Sequence, residues 1–322
     1  MRWFYFCTFP KALMFKMQNM KAIRFLGFLL ICLTILFFQL LLGKKSRIKE
    51  LRNRFRSYFF QGCHPVWILL LASCQFSAHP EFGEQVKWID LTWTFDSTTL
   101  YWPNNKTGFQ HNTDANGVTE KGFYYSSYSV CAPEHGGTHI DAPIHFAAGR
   151  QTVDSIPLSS LTGNAVVIDV SEKALANRDY QIQTNDVLQW EHKYGVIPSG
   201  AIVLMKTGYG DFYPNRKHYF GTDKLGDSAI PELHFPGIHP ELATWLLRER
   251  QIKAIGLDTP SLDFGQSTHF ETHQIFMGAN VPGFENLANL EKLSPTGNYV
   301  IALPMKIGKG SGAPLRIIAG IL

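Results

Sequence analysis

The densest run of reactive side chains in the sequence is Glu134-His-Gly-Gly-Thr-His-Ile-Asp-Ala-Pro-Ile-His-Phe146. It puts His135, His139, Asp141 and His145 within 11 residues. A lone histidine reads as a satisfied core or surface group, but a cluster this dense does not. Imidazole nitrogens plus a carboxylate make a ligand set suited to Zn²⁺ or Mn²⁺. Cys131, just upstream, reads as a buried small residue rather than a nucleophile.

The backbone that presents these groups should not be helical. His135 and His139 have the four-residue spacing of helical zinc sites. Gly136 and Gly137 lie between them and Pro143 follows, and both residue types disfavour a helix. In extended chain, residues two apart share a face, so His139 and Asp141 point one way. His135 then arrives from the glycine turn.

The surrounding pattern is that of an α/β or α+β domain over about 85–322. Strands are expected at Val86–Thr92, Phe123–Ser129, Tyr299–Lys306 and Leu315–Ile321. Continuous apolar runs at Ala165–Val170, Ala201–Lys206 and Ala254–Leu257 predict buried strands. Helices are expected at Asn185–Lys193, at Pro240–Arg250 with proline near its start, and over Phe284–Leu293. Residues 103–121, rich in Asn, Thr, Gly and Asp, read as a loop, and Gly308–Gly312 as a turn.

The 322 residues are 45% hydrophobic and 17% charged, which excludes a disordered chain. The net charge of +4 conceals an asymmetry. Residues 1–63 hold 12 Lys and Arg against one acid, while the remainder holds 18 bases against 25 acids. An acidic body without a basic stripe argues against nucleic-acid binding. The boundary falls near residue 79, with a leader over 1–79 and the body over 80–322.

In the leader, residues 25–42 (FLGFLLICLTILFFQLLL) are long enough to cross a bilayer as a helix, at ~27 Å. A second apolar stretch, Val66–Ser73, precedes a weak cleavage site near Ala78 and has the shape of a secretory signal. Met20 offers an internal start. The expected location is secreted or membrane-anchored through the secretory pathway, and the sequon Asn105-Lys-Thr107 is compatible with it.

The complete pattern His135-x-Gly137-Thr138-His139-x-Asp141-x-Pro143-x-His145-Phe146 resembles the signature of the cyclase-like metal hydrolases, the family of bacterial-type kynurenine formamidase and isatin hydrolase. The resemblance extends over most of 86–320. It includes Ile89-Asp-Leu-Thr92, Lys206-Thr-Gly208, Gly256–Ser261 and Pro304–Arg316. It implies that His135, His139 and Asp141 bind metal and that His145 is the general base. By the family's distal pair, His273 and Glu285 of Glu285-Asn-Leu287 would complete a second metal site bridged by Asp141. One or two Zn²⁺ or Mn²⁺ ions per chain are therefore expected. His269 reads as structural.

The resemblance also implies a swivelling β/α/β single domain, a homodimer and a small aryl amide substrate. N-formylkynurenine is the first candidate and isatin the second, because Gly208–Thr222 looks closer to the isatin-hydrolase branch. Trp93, Trp102, Tyr209 and Phe212 are the nominated substrate walls. A secreted metal-binding member without turnover is the rival reading, and an intact His145 argues against it. No G-x-S-x-G elbow, phosphate loop or dinucleotide fingerprint is present.

Overall fold

The structure is a computed structural model and describes residues 86–321. The apolar stretches of the leader lie outside the described residues. Among the described residues, no helix is long and apolar enough to cross a membrane.

The strands in chain order are β1 (Lys87–Asp90), β2 (Gln110–Val118), β3 (Tyr124–Cys131), β4 (His139–Asp141), β5 (Thr162–Asp169), β6 (Gln181–Ile182), β7 (Ile202–Lys206), β8 (Gly237–Ile238), β9 (Ala254–Leu257), β10 (Gly283–Glu285), β11 (Asn298–Pro304) and β12 (Gly312–Ile321). The helices are α1 (Leu158–Leu161), α2 (Ser171–Ala176), α3 (Thr184–Tyr194), α4 (Arg216–Phe220), α5 (Pro240–Trp245) and α6 (Glu271–Gly278).

The main sheet runs β1-β12-β11-β5-β7-β9-β10-β4, and β4 pairs back onto β12. That last pairing closes a barrel-like ring and leaves β1 on its outside. Strands β5, β7, β9 and β10 are mutually parallel, and the other pairings of this sheet are antiparallel. The result is a mixed α/β domain with flanking helices, as expected.

The parallel strands are buried on both faces, which is why they read as unbroken apolar runs. Ala165, Val167, Ile202, Leu204 and Ala254 join one core with Ile140, Phe284 and Ile317. Their neighbours Val166, Ile168, Val203, Met205 and Ile255 join the other. That second core includes Val187 and Trp190 of α3, Leu242 of α5 and Phe276 of α6.

Three expectations are corrected. Residues 110–118 form β2, paired with β3 in a hairpin, instead of a loop. Both strands are mostly exposed, so no alternation of apolar residues marked the strand. Phe284–Leu293 is not a helix. Phe284 and Glu285 pair with β4, Phe284 also pairs with β9, and Asn286 and Asn289 then take left-handed backbone (φ 55° and 56°), which interrupts helical propagation. Cys131 is exposed at the base of the hairpin, not buried. The helix expected over Pro240–Arg250 is present, but after Trp245 it widens into π-type turns over Leu246–Arg250.

Candidate active site

The cluster is built on β4. His139 and Asp141 face one side of the strand, while Ile140 between them enters the barrel core. Strand β10 pairs antiparallel with β4 and sets Glu285 opposite His139. Directly opposed residues share a face, so the distal glutamate is delivered onto the first motif. Thr138 ties the two segments further: its hydroxyl donates to the Asn286 carbonyl at 2.7 Å. His273 enters from the first turn of α6.

The glycine turn is sterically required. Gly137 has φ 56°, and a Cβ on Gly136 would lie 2.1 Å from the Tyr101 ring. A Cβ on Gly312 of β12 would lie 2.4 Å from the His135 ring. These positions let His135 reach Asp141.

Hydrogen-bond direction fixes the chemistry of the three rings. His139 Nδ1 donates to the Gly137 carbonyl at 3.0 Å. His273 Nδ1 donates to Asp263 Oδ2 at 2.6 Å. The Ser311 hydroxyl donates to Glu134 Oε2 at 2.7 Å, so it accepts from His135 Nε2 at 2.9 Å. In each neutral ring, the other nitrogen is a lone pair, and all three lone pairs face carboxylate oxygens. His135 Nδ1 is 2.7 Å from Asp141 Oδ1. His139 Nε2 is 3.1 Å from Asp141 Oδ1 and 3.5 Å from Glu285 Oε2. His273 Nε2 is 3.1 Å from both Asp141 Oδ2 and Glu285 Oε1.

Acceptors held this close in a buried site need cations between them. The donor set fits a divalent metal. Two groups, His139–Asp141–Glu285 and His135–Asp141–His145, each converge with ligand atoms within 4.8 Å of one another, and Asp141 belongs to both. Without metal, protons take that role. Burial pushes His139 down, but Asp141 and Glu285 outweigh it and raise its pKa to about 8. His273 is likewise raised against burial, by its bonds to Asp141, Asp263 and Glu285. Burial would raise Asp141, yet the His135 charge and the histidine hydrogen bonds hold it well below the usual carboxylate range. Glu285 moves up, through burial and the neighbouring Asp141 charge.

His145 stands at the rim. Its ring stacks on His135 at 3.8 Å between centroids and meets Phe146 edge-on at 4.5 Å. Loss of water on its packed side, with the neighbouring histidines, lowers its pKa against the pull of Asp141, although the residue as a whole is exposed. It is therefore a neutral base at pH 7. Among the described residues, no hydrogen bond engages its ring nitrogens.

A cavity of ≈ 240 Å³ opens onto this cluster. Its walls are Leu100, Trp102, Phe146, Phe220, Pro260 and Phe270, and Ser261 and Asn286 add polar atoms. Of the four nominated aromatics, Trp102 lines it. The other three do not, which corrects the expectation. Trp93 stacks on Tyr213 at 4.9 Å. Tyr209 is buried in the aromatic cluster with Tyr219 and Phe235, and Phe212 packs edge-on against it. Proximity in sequence to the motifs misplaced them. Phe146 directly follows the motif histidine and was within reach of sequence reasoning; Phe220 and Phe270 carried no such signal. His269 is exposed and does not line the cavity.

Residues 89–264 match the family model described as putative cyclase. Isatin hydrolase from Roseibium aggregatum is 30% identical over 194 residues, spanning 58% of this chain and 71% of that protein. Kynurenine formamidase from Salinibacter ruber is 28% identical over 230 residues, spanning 71% and 95%. Among solved structures, isatin hydrolase A from Labrenzia aggregata bound to benzyl benzoate superimposes with a TM-score of 0.66 at 30% identity, covering 79% of this chain and 99% of that one. An isatin hydrolase bound to the product analogue thioisatinate gives 0.67 at 25% identity, covering 81% and 99%. With the motif, the closed sheet and the histidine–carboxylate cluster in place, this chain belongs to the putative cyclase family of metal-dependent hydrolases.

Proposed function

We propose that this protein is a metal-dependent hydrolase of non-peptide amide bonds, acting on a small aryl amide. The observation that carries this is the convergence of three histidine lone pairs on Asp141 and Glu285 at the floor of an aromatic cavity. His135, His139, Asp141, His273 and Glu285 would hold the metal, which is Zn²⁺ or Mn²⁺ by donor type. A bound divalent cation supplies a Lewis acid for the carbonyl and makes the attacking water more acidic. His145, neutral at the rim, takes the proton of that water and returns it to the leaving nitrogen. Trp102, Phe146 and Phe270 hold the aryl ring by stacking and exclude bulk water.

N-formylkynurenine, giving kynurenine and formate, is the first substrate. The relatives named kynurenine formamidase support it. Isatin-type ring opening is the second reading, and one observation favours it. No lysine or arginine is among the described residues that line the cavity, and an unpaired carboxylate is costly to bury. Homodimer formation and entry into the secretory pathway through the leader belong to the same proposal.

The test compares both substrates on the full chain, with and without chelator, beside His145→Gln. The expected result is chelator-sensitive turnover of one substrate, and a variant that retains metal but loses about 10²–10⁴-fold in kcat. Full turnover after metal removal, or an unimpaired His145→Gln, would refute the assignment.

A further inference from the structure

We propose that Asp263 is a positioning residue for the metal centre. Its carboxylate fixes the tautomer and ring orientation of His273, so that in the neutral, metal-binding ring the lone pair sits on Nε2, toward Asp141 and Glu285. This rests on the reading of the cluster as a metal site.

The arrangement is specific. Asp263 is buried and lies outside the helix that carries His273. One of its oxygens, Oδ2, accepts both the backbone N–H of His273 at 3.1 Å and the ring Nδ1–H at 2.6 Å. The other, Oδ1, accepts the backbone N–H of Thr272 at 3.1 Å and the Ser267 hydroxyl at 3.3 Å. A carboxylate surrounded by N–H and O–H donors acts as an acceptor, which keeps the proton on Nδ1 and makes Nε2 the nitrogen that gives up its proton to metal. The same group therefore anchors the first turn of α6 and aims the ring that the turn carries.

The aromatic contacts to the ring have no such directing power, and Asp141 and Glu285 lie on the Nε2 side, where metal would take the place of the proton they attract. Phe146 and Phe270 flank it with ring centroids at 4.5 and 6.2 Å, and neither can choose a tautomer. The Asp263 backbone is held from behind by β8, where a Cβ on Gly237 would lie 2.3 Å from the Asp263 carbonyl carbon. An amide at position 263 would change the outcome. Asn can present N–H to Nδ1, which stabilises the tautomer with its proton on Nε2, aimed at the metal position.

The experiment uses the full chain in four forms: native, Asp263→Asn, His273→Gln and the double variant. Zn²⁺ and Mn²⁺ affinities are measured by competition with a chromophoric chelator. Thermal midpoints are measured after metal removal. The native chain is the control for the underlying reading: if it binds neither ion, the metal-site assignment fails, and this inference falls with it. If it binds, Asp263→Asn should weaken affinity about 10–100-fold, the range found for partners that orient metal-ligating histidines. Its metal-free chain should remain folded and unfold in one cooperative transition. In the His273→Gln background the same substitution should have little further effect, because its route to the metal is gone. Affinity of Asp263→Asn within twofold of native would overturn the proposal. So would equal losses in both backgrounds. Loss of the fold in metal-free Asp263→Asn would also overturn it, since the carboxylate would then be structural.

Discussion

His139 and His273 carry protons on the site side when metal is absent, because Asp141 and Glu285 draw them there. Metal must displace those protons, so binding and pH are linked. His139 has its pKa raised to about 8, so its proton is present below that pH and gone above it. Metal uptake at pH 7 should therefore release protons, and affinity should rise with pH up to about 8. Titration calorimetry in two buffers of different ionisation enthalpy reads the number released, and identical heats in both would contradict the prediction. The sign for metal-free stability is the opposite. A raised histidine stabilises the folded chain below its unfolded pKa, and that contribution fades as pH rises through about 8.

At the scale of elements, α3 is tied to the π-type turns after α5 by a two-pronged ion pair. Arg250 Nε and Nη2 donate to the two Glu191 oxygens at 2.6 and 2.7 Å, and Glu191 also accepts the Ile197 N–H at 2.9 Å. The Arg250 hydrogen bonds chiefly hold the Glu191 carboxyl below its ordinary value, against burial. A depressed carboxyl stabilises the fold above its unfolded pKa, and the effect is lost as pH falls through the folded one. Glu191→Gln should cost about 1–3 kcal/mol at pH 7, and the gap from native should close in the acid range. Urea unfolding at pH 7 and near pH 3.5 measures both. A gap that does not narrow would show that the charge is not what matters. The site, at the other end of the sheet, should keep its substrate affinity.

Among the described residues, the closed sheet has an apolar core on each face, beside the smaller aromatic cluster, and the central parallel strands contribute side chains alternately to the two faces. Leu204 of β7 is fully buried in the core it shares with Phe284 and Leu287, which flank Glu285 of the carboxylate–histidine cluster and its neighbour Asn286. Leu204→Ala should destabilise by about 2–5 kcal/mol, read as a lower urea midpoint with an unchanged slope. A shift below half a kcal/mol would mean the core collapses around the gap.

Much of this was legible in the linear chain. The first motif identifies its own chemistry because ligand types and spacing are local: histidine and aspartate two apart on extended backbone share a face wherever the strand lies. The parallel strands were legible too, since burial on both faces leaves an unbroken apolar run. The β2 strand and the β10 segment were not, because one is solvent-exposed and the other is strand only through its pairing partners. Tertiary structure alone decided that Glu285 stands opposite His139, that Asp263 and Ser311 set the ring tautomers, and which aromatics wall the cavity. The Glu285–His139 and Ser311–His135 contacts depend on register between residues more than a hundred positions apart, and the Asp263–His273 contact depends on how the intervening loop turns back onto α6, neither of which a local pattern of residue types records.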